Sequence, residues 1–469
     1  MLTQDANRDS RLSFWARVRE FAVPPSMIET ATARRQAGDW AGACAAAGVD
    51  VDLSPRSVAR LHGRELASRI RDDLRHLAPD LLRWHLPRIA PRGLLRPGLT
   101  ITLARYDTEG PGGVRPVRLV VRTPPAWADA GQRIGLALWD GSDSGTEARR
   151  HPHHRPNPRF RLDLHRHLWD ARRAGELRIR SGAADPPSFD DRPAMPPEVP
   201  AAVPSGRSCA VDRWADEAGI LLRAEGRSAG TVVVRFGARH RLLLDLVPQG
   251  DGPGPPVLRI AAATTATDGG ASALPVLPDA ATWVLPDLDL LRTGAIEAGR
   301  LHPLVLAALV PDHAAVAPAR PPNPVGQPRL VDCRGARHRI GLVDGVLAPL
   351  DHDPAEIRRE ELLVALTGTP LPCLRAIDEA HRRPDCLTGV RERLDHGDIA
   401  GALAVVEGLL GPGALLRSGE LRDELEAAAR RRITYGLFRA GLTEGPDRLH
   451  PYRRRPRDRR SHPRHAVRR

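Results

Sequence analysis

Five histidines form the densest cluster of potential metal ligands in this chain of 469 residues. Histidine is a common metal ligand, and two rings spaced H-x-H on a strand would face the same side. Residues 151–158 are rich in proline, however, and 161–173 is predicted to be a helix, in which side chains two residues apart diverge. No cysteine or carboxylate completes a ligand set. We therefore predict no metal site and no cofactor at His151, His153, His154, His165 and His167.

The tripeptide Asp351-His352-Asp353 has residue types that suit acid–base catalysis, because histidine titrates near neutrality. Asp353 is better explained as a helix N-cap, since Pro354 and Glu356 follow it in capping-box spacing. The chain also lacks the G-x-S-x-G, H-E-x-x-H and EF-hand patterns. The catalytic residues therefore stay unknown and a non-enzymatic protein is favoured. An enzyme with a site assembled from distant residues is the alternative.

The cysteine and lysine contents exclude several chemistries. All 70 residues in the lysine-plus-arginine count are arginine. A chain without lysine has no Walker A loop of the usual form and no Schiff-base or pyridoxal phosphate lysine. The cysteines are odd in number and no pair has C-x-x-C spacing, which indicates neither a disulfide framework nor a cysteine zinc site. We expect buried thiols at Cys44, Cys209, Cys333, Cys373 and Cys386.

Most of the net charge of +13 lies in a C-terminal tail. Residues 450–469 contain nine arginines and one aspartate, a net +8, which leaves +5 for the other 449 residues. Such arginine runs bind nucleic acid phosphates with strong salt dependence. Aromatic residues make up only 4% of the chain, which argues against a base-stacking platform, and a solvated tail is favoured. The candidate nucleic-acid contacts are Arg453, Arg454, Arg455, Arg457, Arg459 and Arg460.

A helix–turn–helix corner near the N-terminus is the clearest structural pattern. Ser26 and Glu29 have capping-box spacing. Gly38 suits the left-handed residue that ends the first helix, and Asp39 is the expected N-cap of the next. Trp40 would then anchor the second helix against the first.

The same corner recurs at Gly397-Asp398, with Ile399 in the place of Trp40. Gly42 and Gly401 also lie at the same place in their helices. Glycine inside a helix costs roughly 1 kcal/mol relative to alanine, so we interpret both as signs of close helix–helix packing. One hypothesis is a groove for a protein partner, with Trp40 and Ile399 as contacts. The favoured alternative is a common helix connection used twice.

The spacing of apolar residues changes along the chain, and these changes divide it into predicted units. Apolar residues recur at helical spacing in the first 90 residues and after 353, whereas alternation typical of strands begins at Leu99. Strands are also predicted at 220–223, 231–236, 241–247 and 257–263, and a mostly helical segment at 288–309. The predicted units are a helical unit over 10–90, a β-rich domain with a helix over 96–180, a Pro-rich linker over 181–206, a second β/α domain over 207–310, a Pro-rich linker over 311–328, a β-hairpin over 329–350, a helical C-terminal unit over 353–442 and a disordered basic tail over 443–469.

A pentapeptide, GARHR, occurs twice, at 237–241 and 335–339. Residues typical of strands flank both copies, which favours two equivalent β-hairpins with Gly-Ala at the turn. The alternative hypothesis is a pair of anion contacts made by the Arg-His dipeptides.

Two segments resemble an actinobacterial group of uncharacterised proteins of unknown function. They are residues 21–29 (FAVPPSMIE) and the stretch from 350–354 (LDHDP) to 377–381 (IDEAH). The resemblance covers residues 20 to 442 and implies no activity, cofactor or site residue.

The sequence as a whole predicts an α+β fold, with helical N-terminal and C-terminal units that flank a β-rich central region. The N-terminus lacks the apolar stretch of a signal peptide and no run of apolar residues suits a membrane span. We therefore expect a cytoplasmic, non-enzymatic interaction or scaffold protein with an unidentified protein partner. The alternatives are a nucleic-acid-associated protein that uses its tail and an enzyme with an unrecognised site.

Overall fold

The computed structural model describes residues 2–110, 113–128, 132–141, 151, 153–184, 203, 207–237, 240–247, 257–265, 274–313, 329–368 and 370–442. Within these ranges the fold is mixed α+β, with helices at both ends and most strands between them, as predicted. None of the helices in the described ranges combines the length and the apolar character that a bilayer span requires. Most of both Pro-rich linkers and the whole basic tail lie outside the described residues.

Proline begins many of the helices, because it lacks the N–H that would be unpaired at the first helical position. It does so in α2, α4 and α6 near the N-terminus and in four later helices. The helices are α1 (Leu2–Phe21), α2 (Pro25–Gln36), α3 (Trp40–Ala46), α4 (Pro55–His62), α5 (Arg64–His76), α6 (Pro79–His85), α7 (Leu177–Arg180), α8 (Trp214–Ala224), α9 (Asp279–Thr282), α10 (Pro286–Arg292), α11 (Pro303–Leu309), α12 (Pro354–Thr367), α13 (Pro372–Arg382), α14 (Leu387–His396), α15 (Ile399–Leu410) and α16 (Glu420–Ala440).

The strands form small, mostly antiparallel sheets. The largest has the order β1-β6-β5-β4, and the others pair β7-β8-β9, β10-β11-β12 and β2-β3. β1 runs parallel to β6 with Val49 opposite Ile134 and was not predicted. The strands are β1 (Val49–Val51), β2 (Arg88–Ile89), β3 (Leu94–Leu95), β4 (Thr100–Gly110), β5 (Gly113–Arg122), β6 (Ile134–Trp139), β7 (Gly230–Arg235), β8 (His240–Val247), β9 (Val257–Thr265), β10 (Arg329–Cys333), β11 (Ala336–Val343) and β12 (Val346–Pro349).

One apolar core joins elements that the sequence placed in separate units. It includes Val18 of α1, Ile70 of α5, Leu136 of β6, Leu290 of α10 and Val305 of α11. The predicted units 10–90 and 96–180 therefore share a core. A second core around Trp214 and Phe236 belongs to α8 and the sheet of β7, β8 and β9.

Several predicted elements are wrong. Residues 220–223 belong to helix α8 rather than a strand, because Trp214, Ala218, Leu221 and Leu222 form one buried helical face.

Residues 161–173 do not form an α-helix. Their backbone instead bonds to β4, with the amides of Thr102 and Asp163 donating to Phe160 and Thr102, and 3₁₀ turns follow at Arg166–Leu168 and Ala174–Glu176.

One helix start differs from the prediction, and one helical stretch is interrupted by a glycine. Ser26 is not an N-cap: Pro24 holds that position, and the carbonyl of Ser26 accepts from the Thr30 hydroxyl inside α2. Residues 55–76 have a helical pattern, but they form two helices, α4 and α5, because Gly63 adopts a φ of +91° that breaks the helical path.

The GARHR copies do not occupy equivalent turns. In the second hairpin Arg334 and Gly335 form the turn with φ values of +53° and +80°, so Gly-Ala is not at its centre. The predicted hairpin is also extended by β12 into a sheet. The first hairpin pairs Arg235 with Arg241 across a longer loop, whose residues 238–239 lie outside the described residues.

Both Gly-Asp corners are confirmed. Gly38 and Gly397 have φ values of +78° and +86°. Asp39 caps α3 by accepting from the Gly42 amide at 2.8 Å. Asp398 caps α15 by accepting from the Gly401 amide at 2.9 Å.

The cap at each corner explains Gly42 and Gly401 without an appeal to helix–helix approach. A Cβ on either residue would collide with the carboxylate of its own capping aspartate. Glycine is required at this position because the cap folds tightly over the first turn.

The two ends of the chain pack together. Arg17 of α1 pairs with Glu392 of α14 at 3.0 Å. The Tyr435 hydroxyl also donates to Asp50 at 2.6 Å, and Arg439 pairs with Asp52. Helix α16 thereby closes over the edge of the first sheet.

Candidate functional site: an arginine-lined cavity

A cavity of about 200 Å³ lies between α1, the end of α6, residues 159–168 and the segment from α9 to α10. Part of its wall is apolar, with Leu86, Ile101 and Leu162. The wall is otherwise rich in guanidinium groups, and Asp279 is the one acidic residue among the described residues that line it. The lining arginines are Arg11, Arg19, Arg88, Arg96, Arg159, Arg161, Arg180, Arg207 and Arg213.

Some of this positive charge is neutralised by carboxylates in the wall or behind it. Arg19 makes a two-pronged contact with Asp287 at 2.8 and 2.7 Å, and both side chains are almost fully buried. Arg180 contacts Glu217 at 2.7 Å through two nitrogens. Two-pronged pairs of this kind hold guanidinium groups firmly in position, so these arginines give the wall its shape.

Arg207 is the clearest cation available to a ligand. Its guanidinium carbon lies 3.7 Å from the centroid of the Trp283 ring, in a cation–π contact. Its Nε is buried and has no hydrogen-bond partner among the described residues. Burial, followed by repulsion from Arg11, lowers the pKa of Arg207 to about 10. A nearby anion would stabilise this charge.

Arg88 is a second half-buried cation of the wall. Its terminal nitrogens donate to the carbonyls of Gly93 and Arg83, at 3.2 and 2.8 Å, while its Nε has no partner among the described residues. Burial lowers the pKa of Arg88 well below its ordinary value, and the positive charges of Arg83 and Arg19 add to this effect.

Two histidines also line the cavity, the half-buried His85 and the buried His167. Burial lowers the pKa values of His85 and His167 well below the ordinary value, with further lowering by Arg19 near His85 and by His165 near His167. Both imidazoles are therefore neutral at physiological pH. His85 Nε2 and His167 Nδ1 have no hydrogen-bond partner among the described residues.

The predicted histidine cluster is divided by the fold. His167 lines the cavity, and its ring lies 5.8 Å from that of His165, which in turn contacts Glu217 at 3.1 Å. His151 contacts the Thr123 carbonyl at 2.9 Å. His151, His153 and His154 do not line the cavity.

The Asp351-His352-Asp353 tripeptide does not form an acid–base set. Asp351 pairs with Arg339 at 2.7 Å, and Asp353 is the predicted N-cap, accepting from the Ala355 amide at 2.8 Å. His352 lies close to Cys333 instead.

Trp40 and Ile399 are each half-buried. Trp40 packs against the first core, and Ile399 packs against the core of α14 to α16. Their predicted role in binding a protein partner stays a prediction. The candidate tail arginines, from Arg453 to Arg460, lie outside the described residues.

Sequence reasoning missed the cavity because its residues come from distant segments. Arginine is so frequent in this chain that no single position stands out. The absence of lysine was the available signal, because it leaves arginine as the permanent cation for any anion site. The segment Arg159-Phe160-Arg161 also places two cations beside an aromatic ring.

No known protein family, curated protein or solved structure matches this chain. The resemblance to an actinobacterial group therefore stays a prediction.

Proposed function

We propose that this protein binds a compact phosphorylated molecule in the arginine-lined cavity. The observation that carries the proposal is a set of buried polar atoms, all on lining residues, that have no hydrogen-bond partner among the described residues. Buried polar groups are rarely left unpaired in native proteins. The atoms are His85 Nε2, Arg88 Nε, His167 Nδ1, Arg207 Nε and Trp283 Nε1.

Phosphate is the favoured anion for two reasons. Guanidinium groups present a planar fork of donors that matches phosphate oxygens. The pKa values of Arg11, Arg207 and Arg213 are all lowered mainly by burial. A multiply charged anion stabilises several such cations together, and a singly charged carboxylate does so less.

The size and lining of the cavity favour a small ligand with an apolar part. Sites for drug-sized ligands usually measure about 300–1,000 Å³, whereas this cavity measures about 200 Å³. Leu86, Ile101 and Leu162 would contact the part of the ligand that carries no charge.

Binding without chemical conversion fits the wall better than catalysis. Arg159 holds both carboxylate oxygens of Asp279 at 2.9 Å. The acidic residue of the described lining is therefore committed to an ion pair. The protein-partner and nucleic-acid hypotheses concern other parts of the chain and remain separate predictions.

Replacement of Arg207 tests the proposal. Titration calorimetry with phosphomonoesters of increasing size, at low and moderate salt, should give saturable binding that weakens as salt rises. Arg207→Gln should weaken binding by about 10- to 100-fold, because a hydrogen bond to a charged group contributes roughly 1.5–3 kcal/mol.

Arg56→Gln is the matched control, since it removes the same charge from an exposed position on α4. It should leave the affinity unchanged. Equal weakening by both variants would mean non-specific attraction to a basic protein, and absence of saturable binding by the parent chain would refute the proposal.

A further inference from the structure

Two cysteines and a histidine meet in the C-terminal region, far from the cavity residues in sequence. Cys333 Sγ, Cys373 Sγ and a ring nitrogen of His352 all lie within 4.8 Å of one another. Spacing along the chain gave no sign of this group, because forty residues separate the two cysteines. We propose that Cys333, Cys373 and His352 bind a Zn²⁺ ion, with His338 as the fourth ligand.

The spacing of the three groups suits one tetrahedral ion. Zn–S and Zn–N bonds of about 2.3 and 2.0–2.1 Å place the ligand atoms about 3.3–3.8 Å apart. Small side-chain movements would bring the observed group into that range. Two thiolates with imidazole nitrogen form a soft ligand set, which favours zinc over magnesium or calcium.

Local structure explains how each residue reaches the group. Cys333 ends β10, directly before the tight turn at Arg334 and Gly335. Cys373 follows the proline that begins α13, so its sulfur lies in the first helical turn. His352 lies between β12 and the N-cap of α12.

The two ring nitrogens of His352 have different surroundings. Its side chain is only 3% exposed, and Nδ1 lies 3.4 Å from a Glu356 carboxylate oxygen. Its other nitrogen, Nε2, is buried and has no partner among the described residues. A carboxylate on one ring nitrogen and a metal on the other is a common arrangement, because the carboxylate fixes the tautomer.

His338 supplies a second unpaired nitrogen. Cys333 is opposite Ala336, so His338, two residues along β11, lies on the same face of the sheet. Its ring stacks on His352 with centroids 4.2 Å apart, and its Nδ1 is buried without a partner among the described residues. Coordination by His338 requires its ring to leave this stacked position.

The small sheet has a structural need for such an ion. The core between β10, β11 and α13 comprises Cys333, Ile340, Leu371, Cys373 and Ile377, with a few half-buried neighbours. On the same sheet Leu330, Val343 and Val346 are exposed. Small units with few buried apolar groups are often stabilised by a structural metal.

Metal analysis of the full chain tests the proposal. Protein purified without chelators or an affinity tag should contain about one zinc per chain, as a closed structural site does. Cobalt substitution should give thiolate charge-transfer absorption and the visible bands of tetrahedral Co²⁺. Cys373→Ser should lose the metal and the charge-transfer intensity, whereas Cys386→Ser, a cysteine outside the group, should keep both.

Milder variants guard against loss of folding. His352→Ala and His338→Ala should each weaken zinc binding in a competition assay with a chromogenic chelator and alter the visible cobalt bands. Parent protein that contains no zinc and takes up neither ion after reduction would overturn the proposal. So would a Cys333–Cys373 disulfide in freshly isolated protein, or full retention of metal by Cys373→Ser or His338→Ala.

Discussion

At the scale of single residues, His396 shows how burial among cations fixes a protonation state. Its side chain is fully buried, and its ring stacks near Phe21 with centroids 6.4 Å apart. Burial, and then the charges of Arg88, Arg83 and Arg17, lower its pKa to about 3. In the unfolded chain this residue binds a proton near pH 6.5. Between about pH 3 and pH 6.5, His396 is therefore protonated in the unfolded chain and neutral in the folded one, so protonation favours unfolding.

We expect stability to fall as the pH drops from about 6.5 toward 3, by up to about 1.4 kcal/mol per pH unit from His396. Above pH 6.5 the imidazole is neutral in both states and this contribution is fully present. Urea unfolding of the parent and His396→Phe at pH 7 and pH 5 measures it: the variant should lose less stability on acidification. His313→Phe, at an exposed position, is the control, and an equal pH slope in parent and His396→Phe would contradict the assignment.

At the scale of elements, most helices and strands were predictable from the spacing of their residues, but the packing between these elements was not. The corners at Asp39 and Asp398 have local causes, a left-handed glycine and an aspartate cap, and both were predicted. Strands β4 to β9 were likewise predicted from alternation or apolar runs. The strand at 220–223 failed because four apolar-rich residues are too short a window to separate strand from helix. The cavity and the cysteine group could not be predicted, since distant segments build both.

The corner glycines give a prediction at this scale. Gly401→Ala should destabilise the protein by about 1 kcal/mol or more, because the added methyl displaces the Asp398 cap. Gly436→Ala, at an exposed position near the C-terminal end of α16, is the matched comparison. No atom lies near its added Cβ, so the better helix propensity of alanine should stabilise the protein by up to about 1 kcal/mol. Urea unfolding of both variants checks the opposite signs, and two changes of the same sign would contradict this explanation of the corner.

At the scale of the whole molecule, the C-terminal helix α16 packs against the N-terminal part of the chain. Helix α16 contacts β1 through Tyr435 and Asp50, and Trp127 meets Phe438 edge to face with centroids 5.3 Å apart. The sequence could not show this closure, because the residues on each side have ordinary types and local patterns. The contact makes the helical ends one body rather than two independent binding units.

A double-mutant cycle on Asp52 and Arg439 measures the closure. The pair is partly buried, with 11% and 31% of the side chains exposed, so we expect a coupling energy of about 1 kcal/mol in urea unfolding. A second double-mutant cycle, on Asp52 and Arg430, is the control, because Arg430 is exposed on the same helix. Equal coupling in the two cycles would show that the pair has no specific role.

The contact between Asp50 and Tyr435 can form only late in the synthesis of the chain. These residues are 385 positions apart, and a ribosome that adds about 5–20 residues per second needs roughly 20–80 seconds to pass from one to the other. Throughout that interval the first sheet is exposed at the edge that α16 later covers. Arg133, which contacts Asp50 through two nitrogens, is already available to pair with it. A nascent chain that stalls before α16 is therefore left with an open edge, which a chaperone or a protease can reach.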